Sequence, residues 1–264
     1  MNRSYWHRQE DKPLFPELLW SRPENRLAAG KLFIIGGNVH HFTTVAESYQ
    51  IAMDTGLGTA RVLLPDALQK TVGKVFEAGD FVSSTPSGSF ARQALAPILD
   101  ASVWADAILI AGDLGRNAET AILLESLLQR TNLPMVISQD AINYITATPQ
   151  AVKERSNTTL VLSLSQLQHL TKTIKFTQAV TFSMGTAQLV DWLHAFTTEY
   201  PIYIVTEHLN TILVACNGDV STTKLKQEMP IWRTTIAAKA SVWWLQNKQK
   251  PFAALTTAVV SDQE

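Results

Sequence analysis

Residues 106–117, Asp-Ala-Ile-Leu-Ile-Ala-Gly-Asp-Leu-Gly-Arg-Asn117, pass from an unbroken apolar run through two glycines to an asparagine that can cap a helix. A strand that is apolar at every position is covered on both faces, as parallel strands between helical layers are. Asn117 precedes Leu124, Leu127 and Leu128, which share one helical face. Strand, glycine turn and capped helix in this order make one unit of an α/β protein.

The same unit recurs on either side. Short β-branched or apolar runs lie at Leu32-Ile35, Arg61-Leu64, Ala107-Ile110, Met135-Ser138, Thr159-Leu164, Ile202-Val205 and Thr211-Ala215. Helical spacing falls between them. Val45, Tyr49, Ala52 and Met53 form one stripe with Gly56 as its stop, and Gln188, Trp192, Ala195 and Phe196 form another before Tyr200-Pro201. Thr234 or Thr235 is placed to cap a helix carrying Ile236, Ala240, Trp243 and Trp244, and Pro251 opens a last one. The alternation predicts a three-layer α/β/α sandwich on a mostly parallel sheet, with ligands beyond the carboxyl ends of the strands. The last two runs, joined through His208-Leu-Asn210, read as an antiparallel hairpin. Residues 1–29 read as an extended lead-in, helical around Glu17 to Trp20, and residues 30–264 as one α/β domain. The small-residue stretch Ser83 to Ser89 reads as a loop.

Composition bounds the function. With 46% hydrophobic and 17% charged residues the chain belongs with ordinary globular proteins. Lys and Arg number 22 against 23 Asp and Glu, so no basic footprint suits a nucleic acid. The polar start and the lack of any run of about 18 apolar residues lead us to expect a cytoplasmic protein without a membrane span. The lone cysteine, Cys216, ends an apolar run and reads as a buried thiol. His40 and His41 are adjacent and diverge, and no His-Glu-x-x-His pattern exists, so no metal site is expected. His169, His194 and His208 read as surface or interface residues.

Three turns fall on the expected ligand edge. Gly36-Gly37-Asn38 lets backbone amides approach a phosphate, or serves only as a tight turn. In Gly112-Asp113-Leu-Gly115, Asp113 can hold a ribose hydroxyl or simply form the turn. In Gln139-Asp140-Ala-Ile-Asn143, the Asp140 carboxylate can face a ligand or cap the following helix. No catalytic residue is assigned by these patterns alone.

In order, the strand ending Ile-Ile-Gly36-Gly37, then Gly56-Leu-Gly58, the 106–115 segment and Gln139 to Asn143 resemble the nucleotide-dependent NAD(P)H-hydrate dehydratases of the ribokinase-like superfamily. The resemblance runs from about Gly30 to Val259. It implies a ribokinase-like fold, ATP or ADP with Mg as phosphoryl donor, and NAD(P)H or its hydrate as ligand. The family turn Gly-Pro-Gly-Leu-Gly stands here as Ala111 to Gly115, matching at Leu114 and Gly115. Of the family's Asp-Ala-Asp-Ala-Leu-Asn, Asp140, Ala141 and Asn143 match, with Ser138 and Gln139 replacing the first two residues. The Thr-Pro-His stretch with its glutamate becomes Ser163-Leu-Ser165 with Gln168, and Lys-Gly becomes Glu207-His208. The late Gly-Thr-Gly-Asp, whose aspartate is the family's base, becomes Arg233-Thr234-Thr235-Ile236.

An isoleucine accepts no proton, and side chains at the glycine positions obstruct phosphate. Arg233, Thr234 and Thr235 can instead hold an anion through charge and hydroxyls, or act as solvated charge and helix caps. Asp219, in Asn217-Gly-Asp219, is the nearest other carboxylate but reads as a turn residue. The expectation is a nucleotide- or dinucleotide-binding protein with lost or reduced catalysis. The alternatives are an active ADP/ATP-dependent dehydratase or small-molecule kinase, and an assembly subunit forming a homo-oligomer through Trp192, Trp232, Trp243 and Trp244.

Overall fold

The computed structural model describes residues 3–10, 12–74 and 76–260. One sheet runs through them. Its strands are β1 (Trp6–Gln9), β2 (Lys31–Gly36), β3 (Thr59–Pro65), β4 (Gly79–Val82), β5 (Ala107–Gly112), β6 (Met135–Ser138), β7 (Thr158–Val161), β8 (Tyr203–His208), β9 (Thr211–Cys216) and β10 (Asp219–Lys224). They lie in the order β1-β10-β9-β8-β7-β6-β5-β2-β3-β4. Only β9 runs against its neighbours; every other described pairing is parallel.

Because successive side chains on a strand point to opposite faces, β2 feeds two cores at once. Phe33 and Ile35 face helices α4 (Leu95–Ser102), α5 (Ala118–Arg130), α6 (Ala141–Thr146), α7 (Pro149–Glu154), α8 (Leu164–Ile174) and α9 (Thr186–Glu199). Leu32 and Ile34 face α1 (Pro16–Trp20), α2 (Thr43–Asp54), α10 (Trp232–Gln246) and α11 (Pro251–Ala258). The three-layer sandwich expected from the alternation is therefore the fold. A short helix α3 (Gln69–Val72) follows β3. Among the described residues no helix is long and apolar enough to cross a membrane.

Several local expectations need correction. Within the extended lead-in, residues 6–9 pair with β10 as the sheet's edge strand, and α1 forms where the helix around Glu17 to Trp20 was expected. Arg3 clasps Asp191 of α9 at 2.6 and 2.8 Å, and Tyr5 stacks on His194, fixing that strand. The run Thr159-Leu164 is a strand only to Val161, since Ser163 caps α8 with Gln166 in a reciprocal capping box. The hairpin is real, and Leu209 and Asn210 turn it with φ of 51° and 55°. Trp192, Trp243 and Trp244 belong to the core rather than to an exposed assembly face, and Trp232 is half-buried. His208 is buried rather than superficial, its Nε2 donating to Met184 O at 2.7 Å. Cys216 is buried as expected, and burial pushes its thiol well up.

Candidate functional site

The strand order reverses between β2 and β5: from β2 the chain proceeds outward to β3 and β4, then returns to β5 on the other side. Where neighbouring strands of an open α/β sheet lead their connections apart, a crevice opens beyond their carboxyl ends. A cavity of about 820 Å³ lies there, lined by Asn38, His41, Asp113, Gly115, Arg116, Asn117, Gln139, Asp140, Asn143, Tyr144 and His169 among others. That volume is in the range that holds small-molecule ligands.

The glycine turns shape it. Gly37, at φ 89°, donates its amide to Gly112 O at 2.9 Å, joining the two turns. Gly112 sits at φ 113°, and a Cβ there would fall 2.5 Å from Gln139 Cβ, so only glycine fits. Asn38 Nδ2 donates to Asp113 O at 2.5 Å, and Asp113 Oδ2 accepts from Thr44 N at 2.9 Å. Asp113 and Gln139 both hold φ above 50° without being glycine. Such backbone strain collects where surrounding structure enforces it, often at functional sites.

Asp140 does not cap its own helix. Its Oδ2 reaches across to accept from Leu114 N at 2.9 Å and Gly115 N at 3.1 Å, while its buried Oδ1 has no partner. Burial raises its pKa, and the charge of Asp113 adds to that rise. Tyr144, one turn further along, donates to Gly115 O at 2.8 Å and accepts from Asn117 N at 3.1 Å. Asn117 caps α5 as expected, its Oδ1 accepting from Glu119 N at 2.8 Å. Its Nδ2 donates to Ser87 Oγ at 2.9 Å, so the 83–89 loop is tied to the cleft rim rather than free in solvent. Val39 N donates to Gly88 O at 3.0 Å and secures the same loop.

At the other half of the ligand edge, side chains close off the backbone. Helix α10 begins at Trp232 with Ile231 in the cap position, so Thr234 and Thr235 lie within its first turn and cap nothing. Thr234 Oγ1 accepts from Gln139 Nε2 at 2.9 Å, and Arg233 Nη1 donates to Gln166 Oε1 at 3.1 Å. Gln166 Nε2 in turn donates to Gln139 O at 2.8 Å, and burial lowers the Arg233 pKa. Ile236 is 0% exposed and packs in the core against the sheet. A second cavity of about 500 Å³ beside Trp232 is lined by Glu207 and Glu228, which disfavour a phosphate chain. Asp219 begins β10 at the opposite edge of the sheet, beside Cys216 and His7.

The structure thus brings Gly36, Gly37, Asn38, Gly112, Asp113, Gly115, Asp140 and Asn143 to one end of the sheet, with Asn38, Asp113, Gly115, Asp140 and Asn143 lining the cavity. It sets Arg233, Thr234 and Thr235 at the seam between the halves. Tyr144, Gln166 and His169 were missed. Gln166 alone carried a signal, the Ser-x-x-Gln spacing from Ser163. Gln168, the residue aligned with the family's glutamate, donates instead to Val180 O at 3.0 Å.

No protein-family model matches the chain. The bifunctional NAD(P)H-hydrate repair enzyme Nnr of Moorella thermoacetica is 28% identical over 136 residues, covering 51% of this chain and 26% of that protein. The ADP-dependent (S)-NAD(P)H-hydrate dehydratase of Natrialba magadii is 31% identical over 117 residues, 43% of either chain. The similarity therefore spans less than half the length of these curated relatives. Among solved structures, a ribokinase-like superfamily protein from Enterococcus faecalis superposes with a TM-score of 0.72 at 14% identity, over 99% of this chain and 88% of that one. The ADP/ATP-dependent NAD(P)H-hydrate dehydratase from Bacillus subtilis, co-crystallised with ATP/Mg2+, gives 0.62 at 13% identity, over 94% and 86%. This chain has the ribokinase-like fold, and in sequence it is similar to the NAD(P)H-hydrate dehydratases.

Proposed function

We propose that this chain binds a nucleotide or dinucleotide, NAD(P)H or its hydrate foremost, in the cleft at the ends of β2, β5 and β6, and that its aspartate-dependent phosphoryl transfer is lost or severely reduced. The observation that carries the second part is Ile236. At the position that aligns with the family's base stands a fully buried aliphatic side chain, which neither accepts a proton nor reaches a ligand. Arg233, Thr234 and Thr235 occupy the positions where the family's glycines leave amides open, and two of them are spent on Gln139 and Gln166. ATP or ADP with Mg, the donor implied by the resemblance, fits these residues poorly.

The first part rests on the cleft. Its volume suits a nucleotide, and Asp113 and Asn143 on its lining offer the acceptors and donors that ribose hydroxyls and amides require. A cytoplasmic setting fits this reading, since the buried Cys216 then remains an inert thiol. Isothermal calorimetry with ATP, ADP, NAD and NADPH tests binding, and a repair assay on hydrated NADH with ATP or ADP tests transfer. Binding of NADPH or NAD without repair is the expected result. Repair at an enzyme-like rate overturns the loss of transfer, and no heat with any of the four removes the binding reading.

A further inference from the structure

The turn 112–117 cannot hold its own shape. Gly112, Asp113 and Gly115 have φ of 113°, 58° and 72°, and among the described residues no backbone carbonyl accepts from the amides of Leu114, Gly115 or Asn117. All three amides go to two side chains four residues apart, which lie on one side of α6. Asp140 Oδ2 accepts from Leu114 and Gly115 at 2.9 and 3.1 Å; the Tyr144 hydroxyl accepts from Asn117 at 3.1 Å and donates to Gly115 O at 2.8 Å.

We infer that Tyr144 is a positioning residue for the cleft, acting with Asp140 as a clamp that fixes the turn and so aims Asp113 at the ligand. The sequence alone gave no reason to single out Tyr144. The phenol is uniquely suited to the role because one oxygen serves a carbonyl and an amide two residues apart, which a carboxylate cannot do. Phenylalanine retains the ring packing and removes both bonds. The part of this inference that concerns a ligand rests on the proposed nucleotide-binding reading; the part that concerns the turn does not.

The experiment has two readouts on the full chain. Amide hydrogen exchange without ligand is compared between wild type and Tyr144→Phe, and calorimetry follows with NADPH and ADP as probes. Exchange across 113–117 should quicken about tenfold or more in the variant while β5 and α9 are unchanged, and the Kd of whichever probe binds should rise about tenfold. Asp140→Ala should quicken exchange at Leu114 and Gly115, and Asp140→Asn, which keeps an acceptor oxygen, should restore the slow rate. Unchanged exchange in Tyr144→Phe overturns the clamp. Faster exchange with an unaltered Kd overturns its role in positioning. If neither probe binds wild type, the nucleotide reading falls, and exchange alone decides the clamp.

Discussion

The two halves of the ligand edge, built from the same kind of strand ends, have opposite characters. At β2, β5 and β6 the turns are glycine-rich, left-handed and polar, and they leave a cavity of about 820 Å³. At β8 and the start of α10, side chains cover the backbone: His208 is buried against Met184, Thr234 is bound by Gln139, Ile236 sits in the core, and the cavity of about 500 Å³ that remains is lined by Glu207 and Glu228. One half keeps backbone accessible by having no Cβ in the way. The other replaces that access with packing. The difference is best tested by making each half resemble the other.

The largest effect should come from placing a carboxylate in the closed half. Ile236→Asp restores the family's residue type, but in a fully buried position it removes core packing and desolvates a charge. We expect a loss of about 4 kcal/mol in denaturant unfolding and no gain of hydrated-NADH repair. Repair appearing in this variant would mean that a donor site is intact and only the carboxylate was missing. The converse change, Gly112→Ala, closes the open half. A methyl 2.5 Å from Gln139 Cβ, on a φ of 113°, should cost about 3 kcal/mol and abolish probe binding.

The same contrast explains what could be read from sequence. The buried parallel strands announced themselves as apolar runs, and Asn117 and the glycine turns by their local chemistry. β1, β4 and β10 did not. β1 and β4 are short edges, and β10 is polar because its hydroxyls have partners: Thr222 accepts from Trp6, and Ser221 pairs with Thr256 at 2.8 Å. Those partners lie 216 and 35 residues away, beyond any local pattern. Asp140 was legible as a ligand-edge carboxylate but not as a bridge to the preceding turn, since only the β5–β6 pairing brings Leu114 and Gly115 to it. Ile236 was legible as the residue that the resemblance sets against the family's aspartate, while its burial in the core needed the fold.

Asp140 offers the next test of the open half. Removing its carboxylate leaves two amides without acceptors, so Asp140→Ala should lose about 2 kcal/mol. Asp140→Asn should lose less and should also alter the pH profile. Burial raises the Asp140 pKa, so the folded chain keeps this proton to higher pH than the unfolded chain does. The resulting stabilisation is complete below the ordinary carboxylate range and is lost as pH rises through the raised folded value. Unfolding midpoints measured from acid toward neutrality should therefore fall for wild type relative to Asp140→Asn. A constant difference across that range would place the charge in solvent.

The smallest expected effect is at the seam. Thr234→Val keeps the shape of the side chain and deletes the oxygen that accepts from Gln139 Nε2, leaving a half-buried amide to find water. A loss of about 1 kcal/mol is expected, because one neutral hydrogen bond is removed and no cavity opens. Gln139 is held at φ 55° and its carbonyl remains fixed by Gln166, so the turn before Asp140 should keep its conformation. NADPH affinity in the cleft should then stay within about twofold of wild type. A larger fall would show that the seam transmits the packing of α10 to the cleft, and that the open half depends on the closed one rather than merely adjoining it.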